Sequence, residues 1–323
     1  MTFISVFAFS FFFVAFIERY YIRIAKKKLI LDKPGSRSSH SVPTPRGGGV
    51  VFSWYVSFAV FVMYLLGWIE VEVLSIFGTA FLISLLSFFD DLYTLTAKFR
   101  LVCHFLIATL LVFILGIDYV FVLPIIFLMV WSTNLYNFMD GINGLASFQG
   151  ILTMLIVLFL LGGTSSSSLY LPLVLVLVIG ALCGFVIWNF PKARVFMGDS
   201  GSCYLGYLVA GIAVYFYSRE KWVDLIVILG SYIPFVADTS LTLMRRILVG
   251  DKISEAHRSH YYQRLHHTSG WSHVKIVVLY TCFTLIPVCL FKVAGLTSML
   301  TGCFALVIFF TVNECRYYLT ISR

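Results

Sequence analysis

Acidic, amide and basic side chains are concentrated in a few short polar stretches of this chain, which separate long apolar runs. Five of these stretches combine carboxylates, amides and cations: 32–49, Asp90–Asp91, 134–143, 196–201 and 245–273. Polar groups at the depth of a membrane are costly, so they are rarely retained without a partner or a task. If all five stretches face one side of a membrane, they predict an active site at that boundary.

Asp90 and Asp91 follow a long apolar run, in the segment FFDDLYTL. Adjacent residues on a helix point about 100° apart, so the two carboxylates are expected to serve different partners. Acids at the C-terminal end of a helix also oppose its macrodipole. A metal ion or a cationic side chain is therefore expected to hold them, and a solvated helix end is the alternative.

Asn134, Asn137 and Asp140 are spaced three residues apart in TNLYNFMDGINGLA, which aligns them along one face of a helix. Asp199 lies between two glycines in FMGDSGS. Carboxylate and amide oxygens are the ligands that a hard cation such as Mg²⁺ accepts, and the N–H groups at a helix start favour an anion. The alternative is that the asparagines and Asp199 only cap helix ends.

The last polar stretch mixes arginines with histidines and tyrosines, around His257, Arg258 and His260. Arginine forks match phosphate oxygens, so this stretch predicts a pocket for a phosphorylated sugar. A surface for lipid headgroups is the alternative, and neither Cys nor an HExxH pattern supports zinc. Lys33 and Arg46 are cations on the first polar stretch, where three glycines would let the backbone approach a ligand.

Asp238 differs from these acids because it lies inside an apolar run. A carboxylate within a membrane is a functional candidate by default. We nevertheless expect a structural role, in which Asp238 is hydrogen-bonded to Ser, Thr or Tyr groups of neighbouring helices. His104 and Glu314 are likewise interpreted as structural or interfacial groups.

The composition is that of a membrane protein. Of the 323 residues, 60% are hydrophobic and 12% are charged, with a mean hydropathy of +0.95, whereas soluble domains average about 25% charged residues. Apolar runs of about 17–22 residues without alternation match transmembrane helices. We therefore predict an all-α polytopic membrane protein, with one domain over 1–323 and about eleven spans. The expected spans are 2–17, 48–67, 73–89, 101–117, 119–138, 144–161, 169–189, 203–217, 223–243, 274–291 and 296–314.

The distribution of basic residues predicts the orientation in the membrane. With the N-terminus outside and the C-terminus cytoplasmic, all of the 23 Lys and Arg residues except Arg219, Lys221 and Lys292 lie on the cytoplasmic side, in agreement with the positive-inside rule. The net charge of +8 is therefore assigned to membrane topology rather than to nucleic-acid binding. The seven cysteines contain no CxxC pair, so neither a disulfide framework nor a zinc site is expected.

The order of these motifs resembles that of a known family. DDLYTL, NLYNFMDGINGLA and VFMGDSGS, followed by a late His- and Arg-rich stretch, are similar to the polyprenyl-phosphate N-acetylhexosamine-1-phosphate transferases, also called glycosyl transferase family 4. The resemblance covers nearly the whole chain. DKPGSRSSH and EAHRSHYYQRL look most like the O-antigen-initiating branch, whereas phospho-N-acetylmuramoyl-pentapeptide transferases carry a different histidine-rich loop.

This resemblance implies transfer of a sugar-1-phosphate from a UDP-N-acetylhexosamine to undecaprenyl phosphate, with release of UMP, at the cytoplasmic face of a bacterial inner membrane. The sugar would be N-acetylglucosamine or a 6-deoxy sugar such as N-acetylfucosamine. The product would initiate O-antigen or another cell-surface polysaccharide. The cofactor would be Mg²⁺, with Mn²⁺ as a substitute. Membrane lipid and a second copy in a homodimer are the other implied partners, and no nucleic acid is implied.

The resemblance also implies roles for individual residues. Asp199 and Asn137 would bind the metal ion. The catalytic acids would be Asp90 and Asp91, near the lipid phosphate, and Asp140, near the nucleotide and the metal ion. The substrate-binding residues would be Lys33, Arg46, Asn134, Asn143, His257, Arg258 and His260.

Asn143 departs from the family pattern, because many bacterial members have aspartate there, in DGIDG rather than DGING. Asparagine keeps an oxygen acceptor but loses the charge, so a nucleotide-contacting or structural role is expected rather than an acid–base or metal role. Two other protein classes stay open from the sequence. A transporter of an anionic substrate would place its site near the bilayer midplane, and an intramembrane aromatic prenyltransferase would have a wider carboxylate spacing than Asp90–Asp91.

Overall fold

The computed structural model describes residues 3–34, 42–93, 95–162, 170–251 and 257–321. Parts of two predicted polar stretches, 35–41 and 252–256, lie outside the described residues. The elements, in chain order, are α1 (Phe3–Lys27), β1 (Leu31–Asp32), β2 (Thr44–Pro45), α2 (Gly49–Leu65), α3 (Val71–Tyr93), α4 (Ala97–Ile114), α5 (Tyr119–Phe138), α6 (Leu145–Gly162), α7 (Tyr170–Asn189), α8 (Asp199–Ser218), α9 (Trp222–Ser231), α10 (Ile233–Val249), α11 (Tyr261–His267) and α12 (His273–Ile321).

The long apolar runs form helices, as the sequence predicts. Seven helices of the described chain are long and apolar enough to cross a membrane, and α9 with α10 would make an eighth. The seven are α1, α3, α4, α5, α6, α7 and α12. The prediction of a polytopic helical membrane protein is confirmed apart from the short antiparallel pair of β1 and β2. The count of eleven spans and the orientation of the termini stay predictions.

The expected span 223–243 differs from the structure in two respects. The run 223–243 is divided into α9 and α10, which are bent by 58°, because Pro234 lacks an N–H group and its ring clashes with the preceding turn. α10 then continues to Val249, so Arg245 and Arg246 lie on a helix rather than in the predicted loop.

The last two expected spans are the two arms of α12. Gly295 separates the arms, because its φ of 80° and ψ of −172° lie outside the helical region. A positive φ is readily accessible to glycine and strained for most other residues. The expected gap between 291 and 296 therefore coincides with a glycine break in one long helix.

α8 positions the candidate site. It is buried along almost its whole length and packs against α2, α3 and α5. Its contact with α5 is close, because a Cβ on Gly206 would lie 2.6 Å from the carbonyl oxygen of Ser132. This packing places Asp199, the first residue of α8, next to the C-terminal ends of α3 and α5.

Candidate active site

The carboxylate of Asp91 lies at the N-terminus of α8. Its Oδ1 accepts a hydrogen bond from the Asp199 N–H at 3.4 Å, and its Oδ2 accepts one from the Ser200 N–H at 3.2 Å. The unpaired N–H groups and the dipole at a helix start stabilise a negative charge there. Asp91 thus joins the end of α3 to the start of α8 and fixes the position of Asp199.

The backbone around this carboxylate is packed so closely that only glycine, which has no Cβ, fits there. Gly198 has a φ of 71°, and a Cβ there would lie 2.7 Å from Asp91 Oδ2 and 2.7 Å from the Gly47 nitrogen. The Gly49 N–H donates to the Met197 carbonyl at 2.8 Å. The three-glycine run of the first polar stretch therefore packs directly against the segment that leads into α8.

Arg46 lies at the same corner of the fold. Its guanidinium donates to the main-chain carbonyl oxygen of Asp91. Its own carbonyl accepts a hydrogen bond from the Tyr21 hydroxyl at 2.6 Å. Lys33, in contrast, is exposed just beyond β1. The structure thus brings Arg46 to the acid cluster, while the expected contacts of Arg46 and Lys33 with substrate stay predictions.

Asp90 has a different partner from Asp91, as the helical spacing predicts. Its Oδ2 is ion-paired with Arg100, and its Oδ1 accepts from the Leu95 N–H at 2.6 Å. The same Arg100 nitrogen, Nη1, lies 2.8 Å from Asp199 Oδ2. Arg100 therefore bridges the acid at the end of α3 and the acid at the start of α8.

Arg100 is a functional candidate that the sequence analysis missed. It lies in the first turn of α4, together with Lys98. Cations at a helix N-terminus are unfavourable because they oppose the macrodipole. Two basic residues in that position therefore indicate a nearby anionic group, and this signal is readable in the sequence.

Asp140 lies in the turn between α5 and α6. Its carboxylate makes no hydrogen bond or ion pair with any residue that the structure describes. Burial, together with the nearby carboxylates of Asp199 and Asp91, raises the pKa of Asp140 well above its usual range. A carboxyl group in this setting gains from binding a proton or a cation.

Asn137 adds an amide oxygen to this group. Its Oδ1 accepts a hydrogen bond from Ser202 Oγ at 3.1 Å, and its amide lies beside the Asp199 carboxylate. Asn134, one turn earlier, instead donates to the carbonyl of Val130 in its own helix at 2.7 Å. The structure therefore places the side chain of Asn137 next to the start of α8. The contact of Asn134 does not indicate a role in substrate binding, which stays a prediction.

The donor atoms are of the type that Mg²⁺ prefers, because they are carboxylate and amide oxygens. Within the described ranges, however, no group of three or more His, Cys, Asp and Glu side chains is arranged to hold a metal ion. Arg100 instead neutralises Asp90 and Asp199, while Asp140 has no such partner among the described residues. The chemistry of Asp140, Asp199 and Asn137 fits the ion, provided that Asp199 exchanges Arg100 for it.

His257 and Arg258 lie just before α11. Nδ1 of His257 lies 2.9 Å from Ser259 Oγ. Burial lowers the pKa of His257 to about 3, assisted by the nearby His260, Arg246 and Arg245. A neutral imidazole can donate a hydrogen bond to a phosphate oxygen without adding charge. Arg258 is exposed.

His260 is buried at the start of α11. Its ring stacks on Phe138 and on Tyr262, with centroid distances of 6.3 and 5.8 Å. Its Nδ1 lies 3.7 Å from Asp238 Oδ1. Because Phe138 is the last residue of α5, these contacts place the basic segment next to the turn that carries Asp140.

Asp238 has the structural role that the sequence predicts. It accepts hydrogen bonds from the Tyr280 hydroxyl at 2.5 Å and the Thr242 hydroxyl at 3.4 Å. It also accepts from the main-chain N–H groups of Tyr261 and Tyr262, at 2.7 and 3.2 Å. The Tyr280 hydroxyl, on α12, agrees with the prediction, whereas Thr242 lies on the same helix as Asp238. The two backbone partners at the start of α11 are an addition.

Asn143 joins two loops. Its Nδ2 donates to the Pro191 carbonyl at 3.1 Å, and its N–H donates to His273 Nδ1 at 3.3 Å. These contacts support a structural role for Asn143. A contact between Asn143 and a nucleotide stays a prediction.

Comparison with sequence families matches residues 73–217 to glycosyl transferase family 4. The matched segment begins in α3 and ends in α8, so it includes Asp90, Asp91, Asp140 and Asp199. The first polar stretch and the basic segment before α11 lie outside it.

Three curated proteins illustrate the similarity. The chain is 32% identical over 289 residues to a protein of Bacillus subtilis (strain 168) named probable undecaprenyl-phosphate N-acetylglucosaminyl 1-phosphate transferase, covering 80% of this chain and 75% of that protein. It is 33% identical over 166 residues to the phospho-N-acetylmuramoyl-pentapeptide-transferase of Carboxydothermus hydrogenoformans, covering 50% of this chain and 48% of that protein. For the enzyme of that name from Halalkalibacterium halodurans the identity is 28% over 281 residues, covering 77% and 82%.

The fold and the site define a polytopic membrane protein with a carboxylate centre built from the ends of four helices, α3, α4, α5 and α8. The chain belongs to glycosyl transferase family 4. This assignment confirms the resemblance that its motifs predict.

Proposed function

We propose that this protein transfers an N-acetylhexosamine-1-phosphate from a UDP-sugar to undecaprenyl phosphate and releases UMP. The sugar is N-acetylglucosamine or a 6-deoxy sugar such as N-acetylfucosamine. The lipid-linked product begins O-antigen or another cell-surface polysaccharide. The reaction takes place at the cytoplasmic face of a bacterial inner membrane, where the predicted orientation puts the acid cluster.

The observation that carries the proposal is the convergence of acids from separate helices at the start of α8. Asp91 and Asp199 are 108 residues apart in sequence and meet through a hydrogen bond, while Arg100 links Asp199 to Asp90. A relative that matches 80% of this chain is named probable undecaprenyl-phosphate N-acetylglucosaminyl 1-phosphate transferase. A site that gathers this much negative charge is suited to binding a cation between anionic substrates.

The proposed reaction joins two phosphates that repel each other. An oxygen of the lipid phosphate attacks the phosphorus that carries the sugar, so one P–O bond forms. The P–O bond to UMP breaks, and UMP leaves with its electron pair. A phosphate monoester has a second pKa of about 6, so the lipid phosphate is mostly a dianion at neutral pH. Asp90 therefore orients the lipid phosphate, or takes its remaining proton, rather than serving as an obligatory strong base.

Mg²⁺, or Mn²⁺ in its place, supplies positive charge to the phosphate oxygens when it is bound. Asp199 and Asn137 are the residues proposed to hold it, together with Asp140, whose carboxyl group lies beside the other acids. Arg100, once released from Asp199, lies within the same group of side chains and is suited to a phosphate oxygen because of its fixed fork of donors.

The basic segment is proposed to bind the donor. His257 and Arg258 offer hydrogen bonds to the diphosphate or the sugar, and His260 anchors the segment next to Asp140 through its contact with Phe138. Stabilisation of the charge that develops on the departing UMP is the main catalytic effect expected of such groups.

We expect purified protein to release UMP when it is given undecaprenyl phosphate, Mg²⁺ and the correct UDP-N-acetylhexosamine. A panel of UDP-sugars, with UMP measured by chromatography and the lipid product by mass, identifies the donor. UDP-glucose and reactions without the lipid serve as controls and should yield no UMP. Uptake of the UDP-sugar into proteoliposomes with no UMP formed would contradict the proposal and favour a transporter.

Direct attack by the lipid predicts that no covalent enzyme intermediate accumulates. Protein incubated with a UDP-sugar labelled in its β-phosphate, without lipid acceptor, should carry no label after denaturation. The alternative is a covalent aspartyl intermediate. Label retained by the wild-type protein but absent from an Asp90→Asn variant would overturn direct attack.

A further inference from the structure

Three charged side chains outside the acid centre form a buried cluster between α10, α11 and α12. Glu314 lies 2.7 Å from Arg245 Nε and is also ion-paired with Arg264. The ring of Tyr317 packs against both guanidinium groups, at 4.8 and 4.3 Å from its centroid. Arg245, Arg264 and Glu314 are all buried. The two arginines, which the sequence assigned to a phosphate pocket, are therefore turned towards a carboxylate of the last helix.

Burial of such a cluster is a weak source of stability, because the desolvation of each charge offsets its attraction to the others. Its geometry indicates a positioning role instead. Arg245 Nη2 and Arg264 Nη1 both donate to the carbonyl oxygen of Ser259, at 3.3 and 3.1 Å. Ser259 lies between His257 and His260, so Glu314 holds two cations that in turn hold the proposed donor-binding segment.

Asp238 binds the same segment through the next two peptide groups. Its carboxylate accepts from the N–H groups of Tyr261 and Tyr262 at 2.7 and 3.2 Å. One carbonyl and two amides within residues 259–262 are thus bound by buried charged side chains. The main chain at this point is fixed by three separate hydrogen-bonding groups rather than by the regular pattern of a helix alone.

Tyr262 connects this fixed segment to the turn that carries Asp140. Its hydroxyl donates to the Phe138 carbonyl at 2.8 Å and accepts from the Gly141 N–H at 3.2 Å. Tyr262 is fully buried, and a Cβ on Gly141 would lie 2.4 Å from its hydroxyl oxygen. The two parts are therefore in direct, close contact at this point.

We propose that Glu314 and Tyr262 are positioning residues that set the donor-binding segment against Asp140. Glu314 orients Arg245 and Arg264, and Tyr262 transmits the position of the segment to the turn on the other side. Groups that orient the ligands of a metal ion typically change activity or metal affinity by about 10- to 100-fold when removed, and we expect a loss of the same order for these positioning residues. This proposal rests on the proposed function, because it takes residues 257–260 as the donor-binding segment.

Two variants separate the two parts of the proposal. Tyr262→Phe keeps the ring and removes the hydroxyl, so kcat is expected to fall about 10- to 100-fold while the KM for the UDP-sugar changes little. Glu314→Gln leaves the arginines without their anion, so the KM for the UDP-sugar is expected to rise about tenfold, with the KM for the lipid unchanged. Tyr261→Phe is the matched control for the first variant, because the Tyr261 hydroxyl bonds to none of the described residues. Glu72→Gln, which affects the partly exposed pair with Arg219, is the control for the second.

Hydrogen–deuterium exchange gives a readout that does not depend on the reaction. In Glu314→Gln, the amides of residues 259–262 are expected to exchange at least roughly tenfold faster, with peptides of α7 unchanged. Failure of every UDP-sugar to release UMP would remove the proposed function, yet the exchange result would still decide whether Glu314 fixes the segment. The positioning role would be overturned if both variants showed wild-type kinetics and wild-type exchange. It would also be overturned if the amides of α7 exchanged faster by the same factor as those of residues 259–262.

Discussion

Sugar-phosphate transfer by Asp199→Ala protein is expected to be at least roughly 10³-fold slower than by the wild type, whereas Asn143→Ala protein should be no more than about tenfold slower. Asp199 contributes a charge at the start of α8, where it is paired with Arg100 and lies beside Asn137. Asn143 contributes neutral hydrogen bonds that join its loop to Pro191.

The two variants are compared as purified proteins, with initial rates of UMP release measured at saturating substrates. Asp199→Asn, which keeps the size of the side chain and removes its charge, tests whether the loss follows from charge rather than packing. A cooperative thermal transition in each protein serves as the check that the variants are folded. Equal and complete loss in well-folded Asp199→Ala and Asn143→Ala proteins would contradict this ranking.

The helices were predictable because membrane spans follow from local apolar length. Their ends were less so where polar residues continue a helix. α1 runs on to Lys27 instead of ending near 17, and its last-turn lysines suit the negative end of the helix dipole. α10 includes Arg245, whose charge is compensated by Glu314, 69 residues further along the chain. No local pattern reveals a partner at that separation.

The candidate site was predictable in its members and less so in its connections. The order of the acidic motifs places Asp90, Asp91, Asp140 and Asp199 at corresponding helix ends, and the structure brings them together. That Asp91 binds the N-terminus of α8 could not be inferred, because this depends on how α3 packs against α8. Arg100 was within reach of sequence reasoning, because a cation in the first turn of a helix calls for an anion.

The basic stretch shows why residue types alone are insufficient. The arginines there predicted a phosphate pocket. Arg245 and Arg264 are instead buried, form ion pairs with Glu314 and donate hydrogen bonds to the carbonyl oxygen of Ser259. The same guanidinium group can bind a phosphate or brace a backbone carbonyl, and only its surroundings decide. Arg258, exposed on the same stretch, keeps the predicted substrate role as a proposal.

Removal of divalent metal ions is expected to lower the rate of transfer at least roughly 10³-fold, because both substrates are anionic and Asp140 adds a further carboxylate beside them. Two unit charges 4 Å apart interact by about 4 kcal/mol at an effective dielectric constant of 20, which corresponds to about a thousandfold in rate. Arg100 compensates Asp90 and Asp199 but leaves Asp140 without a cation among the described residues. After treatment with EDTA, the rate of UMP release is measured as a function of the free Mg²⁺ concentration. Addition of either Mg²⁺ or Mn²⁺ should restore the rate. An unchanged rate in the chelator would exclude a metal-dependent reaction.

Arg100 provides a test of the same site in the absence of substrates. Because Arg100 competes with an incoming ion for Asp199, Arg100→Gln should bind Mn²⁺ about tenfold more tightly, the equivalent of one charge-assisted hydrogen bond. Electron paramagnetic resonance of free Mn²⁺ measures the affinity.

Lys98→Gln is the matched control, because Lys98 is an exposed cation in the same turn of α4, and it should leave the affinity unchanged. Asp199→Ala should bind Mn²⁺ weakly with or without Arg100, because Arg100 and the ion compete for the carboxylate that this variant lacks. If Arg100→Gln binds no more tightly than the wild type, the ion is held away from Asp199 and the acids at the start of α8 serve another purpose.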